Sequence, residues 1–136
     1  MNNFDLSQKL LSEARECYEN MLNSYGKSSW NMVIRRAQEV VELSIKALLK
    51  IMGVEYPKSH DVGEVFELTC IQNDIMVENT DLIRIKQISY ELAKNRGPAF
   101  YIEKIYNKEE AEKAKVDAEF VMNFAESLSI KLKAGL

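Results

Sequence analysis

Three groups of side chains in this sequence have types and spacings that could do chemistry. Gln38, Glu42 and Lys46 follow one another at four-residue intervals, so on a helix they share one ridge. An amide, a carboxylate and an ammonium in line could orient a polar ligand or a partner. A solvated helix edge has the same pattern, since Glu followed by Lys at i,i+4 stabilises a helix by roughly 0.2–0.5 kcal/mol. The single histidine, His60, stands in Lys58-Ser59-His60-Asp61. It could serve as a general acid or base if a neighbour orients it, or simply make a local hydrogen bond ahead of a helix. The third group is Arg96-Gly97-Pro98-Ala99-Phe100-Tyr101. Arg96 and Tyr101 offer a forked donor and an aromatic face, suited to a phosphate and a base. Equally, Lys94 and Arg96 lie where cations complement the carbonyl end of a helix.

Other chemistries lack their residues. One His and two separated Cys do not make a zinc site, and the carboxylates lack the Glu-x-x-His pairs of di-iron bundles. The five Gly are isolated, so there is no phosphate-cradling loop, and no nucleophile elbow occurs. An ordinary hydrolase or metalloenzyme is therefore not expected, and neither a metal nor a cofactor is called for. Eighteen basic against 21 acidic residues give a net charge of −3. That balance disfavours general coating of nucleic acid but leaves room for a local basic patch.

These residues need elements to position them. From Trp30 to Met52, apolar residues Trp30, Ile34, Ala37, Val41, Ile45, Leu48 and Met52 recur at helical spacing, which predicts one long buried helix. A second set, Val33, Val40 and Ala47, lies to one side of that seam and predicts contact with neighbours on two sides. With Ser44 it forms a small-residue face that could receive a second copy of the chain. Gln38, Glu42 and Lys46 run along the other border. A first helix is expected over Asp5–Tyr25, stopped by a left-handed Gly26, with Ser28 or Ser29 capping the next. Gly53 and Pro57 end the central helix. Asp61 and Glu64 have capping-box spacing and open a short helix to about Ile71, with Ile75 and Met76 packing loosely in the link after it. A helix capped by Asn79 or Thr80 is expected to run to about Asn95, stopped by Gly97-Pro98. The last, opened by an Asn107/Glu110 capping box, runs to about Lys133 on Ala111, Ala114, Ala118, Val121, Ala125, Leu128 and Leu132, a seam suited to coiled-coil-like packing.

At 136 residues, 46% hydrophobic and 29% charged, the chain has the size of one domain with one core. The expectation is an all-α, antiparallel four-helix up-and-down bundle with one additional short helix, a single domain over residues 1–136. Cys17 and Cys70 occupy apolar helical positions and read as reduced core residues, which fits the cytoplasm. No signal region is evident, and the apolar stretches are broken by Lys46 and Lys50, well short of the roughly 20 residues a membrane span needs. A soluble, cytoplasmic protein without a membrane role is expected.

The run WNMVIRRAQEVVELSIKALLKIMGVEYPKSHDV resembles the core of HEPN (higher eukaryotes and prokaryotes nucleotide-binding) domains. Gln38, Glu42, Lys46-Ala47-Leu48-Leu49, Gly53, Pro57 and Ser59-His60-Asp61 fall in the family's order. NRGPAFY and EEAEKAKVDAEFV are similar to the later parts of small stand-alone prokaryotic members. The resemblance implies a helical bundle, often a homodimer, and in several members a partnership with a minimal nucleotidyltransferase. Many relatives are ribonucleases that use an Arg and a His separated by four to six intervening residues. Here the permitted positions after Arg96 hold Tyr101, Ile102 and Glu103, and the residues that would have to supply an Arg for His60 are Gly53, Val54 and Glu55. The ribonuclease motif is absent. The reading is a non-catalytic nucleotide- or nucleic-acid-binding or interaction module using Arg96, Tyr101, Gln38, Glu42, Lys46 and His60. The alternative is a HEPN ribonuclease or toxin with altered catalytic residues, and a third reading is a bundle that only dimerises and recruits another protein.

Overall fold

The computed structural model describes residues 1–135. Its elements are α1 (Asn3–Gly26), α2 (Trp30–Ile51), α3 (Gly63–Gln72), α4 (Asn79–Phe100) and α5 (Lys108–Ala134), with no strand among the described residues. This is the expected bundle of four long helices and one short one. The central helix α2 packs against all four others, most extensively α1. Both of its apolar sets are inside: Ile34, Ala37, Val41, Ile45 and Leu48 along one seam, Val33, Val40 and Ala47 along the other. Burying a large aliphatic side chain stabilises a fold by roughly 1.5–3 kcal/mol, so α2 dominates the core.

The small-residue face does not serve a second copy. Val33, Val40, Ser44 and Ala47 are all fully enclosed within the monomer. Ser44 Oγ lies there without a hydrogen-bond partner.

Helix ends depart from expectation in instructive ways. Gly26 is the last residue of α1, and Ser28 takes the left-handed conformation instead, at φ 58°. Ser29 precedes α2 without a side-chain cap, whereas Gly53 does turn left-handed, at φ 76°. The Asn107/Glu110 capping box forms in both directions. The Asp61/Glu64 box does not: the residue before α3 is Val62, and Asp61 Oδ1 accepts from the Gly63 N–H at 3.2 Å and from Ser89 Oγ at 2.8 Å. Asp61 thus bridges the first residue of α3 to Ser89 on α4 instead of forming a reciprocal box with Glu64. In the α3–α4 link Ile75 packs on the core, but Met76 is 93% exposed.

The largest departure is α4, which runs through Gly97-Pro98 to Phe100. Proline crowds the residue before it largely through that residue's Cβ, which glycine lacks, so Gly97 lowers the cost of staying helical. Proline forfeits one hydrogen bond, and the continued turn buries Ala99 in return. The Asn31 side chain then clamps the bend beyond the helix. Its Nδ2 donates to the carbonyls of Ala99 at 3.2 Å and Lys104 at 2.8 Å, and its Oδ1 accepts from the Tyr106 N–H at 2.9 Å.

Helices α3 and α4 cross at Gly63, where a Cβ would lie 2.9 Å from the Lys86 Cα and 3.2 Å from its carbonyl oxygen. Gly63→Ala should therefore push α3 off α4 and cost about 1–3 kcal/mol in denaturant melts. Gly26→Ala, with nothing within 4 Å of the new Cβ, should leave stability unchanged or raise it by up to about 1 kcal/mol.

Candidate functional site

Five of the six residues singled out in the sequence meet at one place. Gln38 and Glu42 lie one turn apart on α2, next to the loop that carries His60 and the last turns of α4. Arg96 Nη1 donates to Gln38 Oε1 at 2.5 Å. The Gln38 amide in turn donates to Glu42 Oε1 at 2.8 Å and reaches the His60 carbonyl at 3.4 Å. Lys46 Nζ donates to Glu42 Oε2 at 2.6 Å, and His60 Nδ1 lies 2.8 Å from Glu42 Oε1. A carboxylate only accepts, so Nδ1 carries the proton and the Nε2 of a neutral ring is left as an acceptor.

The arrangement is largely desolvated. Gln38 is 1% exposed, Lys46 is buried, and Glu42 is mostly covered. An amide enclosed this way must have all its groups satisfied, and Gln38 does: its oxygen takes the guanidinium and its nitrogen serves the carboxylate. Burial alone would raise the Glu42 carboxyl, but the donors Lys46, Gln38 and His60, together with the Lys46 charge, hold it below the ordinary glutamate value. The Tyr56 ring lies 5.2 Å from Lys46 Nζ and closes the far end.

Outside this network is an open groove of about 270 Å³ lined by His60, Ala93, Arg96, Gly97, Phe100 and Tyr101. Arg96 is half-buried and forms no ion pair among the described residues; its hydrogen bond goes to a neutral amide. The Phe100 ring is occupied, with the Arg35 guanidinium 4.6 Å from its centroid and Tyr101 edge-on at 4.9 Å. Tyr101 belongs to the groove wall rather than to the network, and at 73% exposure its ring is available for stacking. Among the described residues no cluster of His, Cys, Asp and Glu could hold a metal ion, and no helix is long and apolar enough to cross a membrane.

The family model for the HEPN domain matches residues 7–128. The chain belongs to the HEPN family. The crystal structure of ST0689, an archaeal HEPN homologue, is similar in fold at a TM-score of 0.69 and 17% identity, covering 90% of this chain and 97% of that one. Among curated proteins no relative matches. In this HEPN domain the Arg on α4 is not followed, after four to six intervening residues, by a His; the histidine beside it comes from the α2–α3 loop.

Three contributors are not evident from sequence alone. Ser89 anchors that loop, accepting from the Val62 N–H at 3.2 Å while donating to Asp61. A serine amid the inward residues Ile85, Ile88 and Leu92 is the one available signal, since a buried hydroxyl needs a partner. Asn31 and Arg35 support the turn that carries Phe100 and Tyr101, and nothing in their spacing announces it.

Because the folded-state pKa of Glu42 is lowered, its stabilisation is present at neutral pH and is lost as pH falls through the carboxylate range, roughly pH 5 to 3. Glu42→Gln should cost about 2 kcal/mol at pH 7, leaving Lys46 buried without its counter-charge. It should also flatten the acid limb of stability against pH in chemical denaturation. An unchanged acid limb would show that Glu42 is not the group responsible.

Proposed function

We propose that this HEPN domain is a non-catalytic binding and interaction module. It holds the phosphate of a nucleotide or of RNA between Arg96 and His60, with the base on Tyr101. It works as a homodimer or beside a minimal nucleotidyltransferase, as the family pattern implies. The observation that supports this most is the state of Arg96: a guanidinium set in place by Gln38, uncompensated by any direct carboxylate contact, beside a groove with an exposed aromatic ring. A fork of this kind suits phosphate, and charge-assisted bonds to it are worth more than neutral ones. The groove is local, which reconciles anion binding with a chain whose net charge is −3.

Titration of the wild-type chain with nucleotides and short single-stranded RNA should give saturable, salt-sensitive binding. Arg96→Ala should weaken it at least tenfold, about 1.4 kcal/mol, and Tyr101→Ala should weaken RNA and nucleotide while sparing inorganic phosphate. Binding that is undetectable or unchanged in Arg96→Ala would remove this reading.

A second reading, an RNA-cleaving enzyme with altered catalytic residues, is favoured by one contact. The Glu42–His60 bond gives the imidazole the tautomer a general base requires. Purified chain incubated with RNA distinguishes the two. Cleavage abolished by His60→Ala would establish the enzyme, whereas intact RNA in the presence of measurable binding supports the module.

A further inference from the structure

On the other side of the His60-Asp61 corner, a second groove of about 380 Å³ runs between α3 and α4, lined by Asp61, Glu64, Glu67, Ile83, Lys86, Gln87 and Tyr90. Its walls are the outward ridges of the two helices. On α3, Glu64, Glu67, Leu68 and Ile71 point away from the buried Phe66, Thr69 and Cys70; on α4, Ile83, Lys86, Gln87 and Tyr90 point away from Leu82, Ile85 and Ser89. Leu68, Ile71, Ile83 and Tyr90 are each at least half exposed. Large apolar side chains scattered singly need no explanation, but Ile83 and Tyr90 both line the groove itself, and an apolar floor inside a polar rim is the form of an interaction site.

The sign of the rim decides what such a patch can receive. Asp61, Glu64 and Glu67 face a single cation, Lys86, whose ammonium is 3.2 Å from Glu67. Asp61 is bonded to neutral partners, and Glu64 is exposed with no ion pair among the described residues. The rim is therefore net acidic, which repels a phosphate backbone. The walls are also fixed in advance. Gly63 touches the Lys86 backbone, and Ser89 ties both Asp61 and Val62 to α4, so little ordering cost remains on binding.

We infer that the α3–α4 groove is a docking site for a basic amphipathic helix of a partner protein, with apolar residues on Ile83 and Tyr90 and lysines or arginines against Glu64 and its neighbours. The α4 wall of the groove from Ile83 to Tyr90 covers about two turns, roughly 11 Å, which sets the length of the anchor. Such helices are read through i, i+3, i+4 and i+7 anchors, and the charged rim sets orientation and on-rate more than affinity. This surface is separate from the Arg96 groove and does not depend on what that groove binds.

The probe is a labelled synthetic helical peptide with leucines on one ridge and lysines flanking them, titrated into the full chain by fluorescence anisotropy. Two controls share its length: one with lysines replaced by glutamates, the other with leucines replaced by serines. The lysine peptide should bind at least tenfold tighter than either control and weaken as salt rises. Glu64→Lys and Ile83→Ser should each reduce its binding about tenfold, and Arg96→Ala should leave it unchanged. Glu64→Gln, an exposed and isosteric change, provides the charge test if a bolder variant unfolds. Equal binding of the three peptides, no binding, or indifference to both groove variants overturns the inference. So does a wild-type dimer, seen in sedimentation, that Ile83→Ser converts to monomer, since a second copy would then be what covers the groove.

Discussion

Much of this molecule depends on one carboxylate that has been taken out of water. Glu42 lies against the core helix, where an isolated negative charge would cost several kcal/mol. It is tolerated because donors reach it from three directions: Lys46 one turn on, Gln38 one turn back, and His60 from the α2–α3 loop. Each donor does a second job. Gln38 passes the polarity on to Arg96 and so joins α2 to the end of α4. His60 fixes the loop from which α3 departs. Lys46 brings in the Tyr56 ring. The requirement to satisfy one charge therefore sets the positions of three chain segments.

The same constraint explains why the site sits beside Gly97-Pro98. If α4 stopped where the sequence invites it to, Arg96 would lie in a loop and its reach to Gln38 would not be fixed. Continuing the helix to Phe100 gives Arg96 a rigid base and puts Phe100 and Tyr101 on the wall next to it. The extension is held by burial of Ala99 and by the Asn31 clamp. Both are tertiary effects acting against a local preference.

That contrast separates what was legible in the sequence from what was not. The helices followed from periodicity, because a buried face must repeat at 3.6 residues whatever its neighbours are. The ridge of Gln38, Glu42 and Lys46 followed for the same reason, and the family pattern placed His60 and Arg96 beside it. What could not be read was the identity of each contact. Val33, Val40, Ser44 and Ala47 pack inside the monomer rather than on a copy, and periodicity cannot tell one apolar neighbour from another. Asp61 has good capping-box spacing with Glu64, yet Ser89, 28 residues on, takes it. Tyr101 shares the groove wall with Arg96, as proximity in sequence suggests, but lies outside the hydrogen-bond network of Gln38 and Glu42.

At the end of α4 the chain does something isoleucine resists. Ile102 has φ 55°, a left-handed conformation that costs a β-branched residue roughly 1–2 kcal/mol, where glycine would adopt it freely. Part of the compensation lies within the turn, where the Tyr101 N–H donates to the Gly97 carbonyl and the Glu103 N–H to the Pro98 carbonyl, each at 2.9 Å; the rest comes from Asn31 at the start of α2. The bend thus behaves like a sprung clasp whose catch sits on a different helix. Part of its shape is inherited from that catch, so the course of the bend does not depend on any packing of the exposed Ile102 and Glu103 side chains.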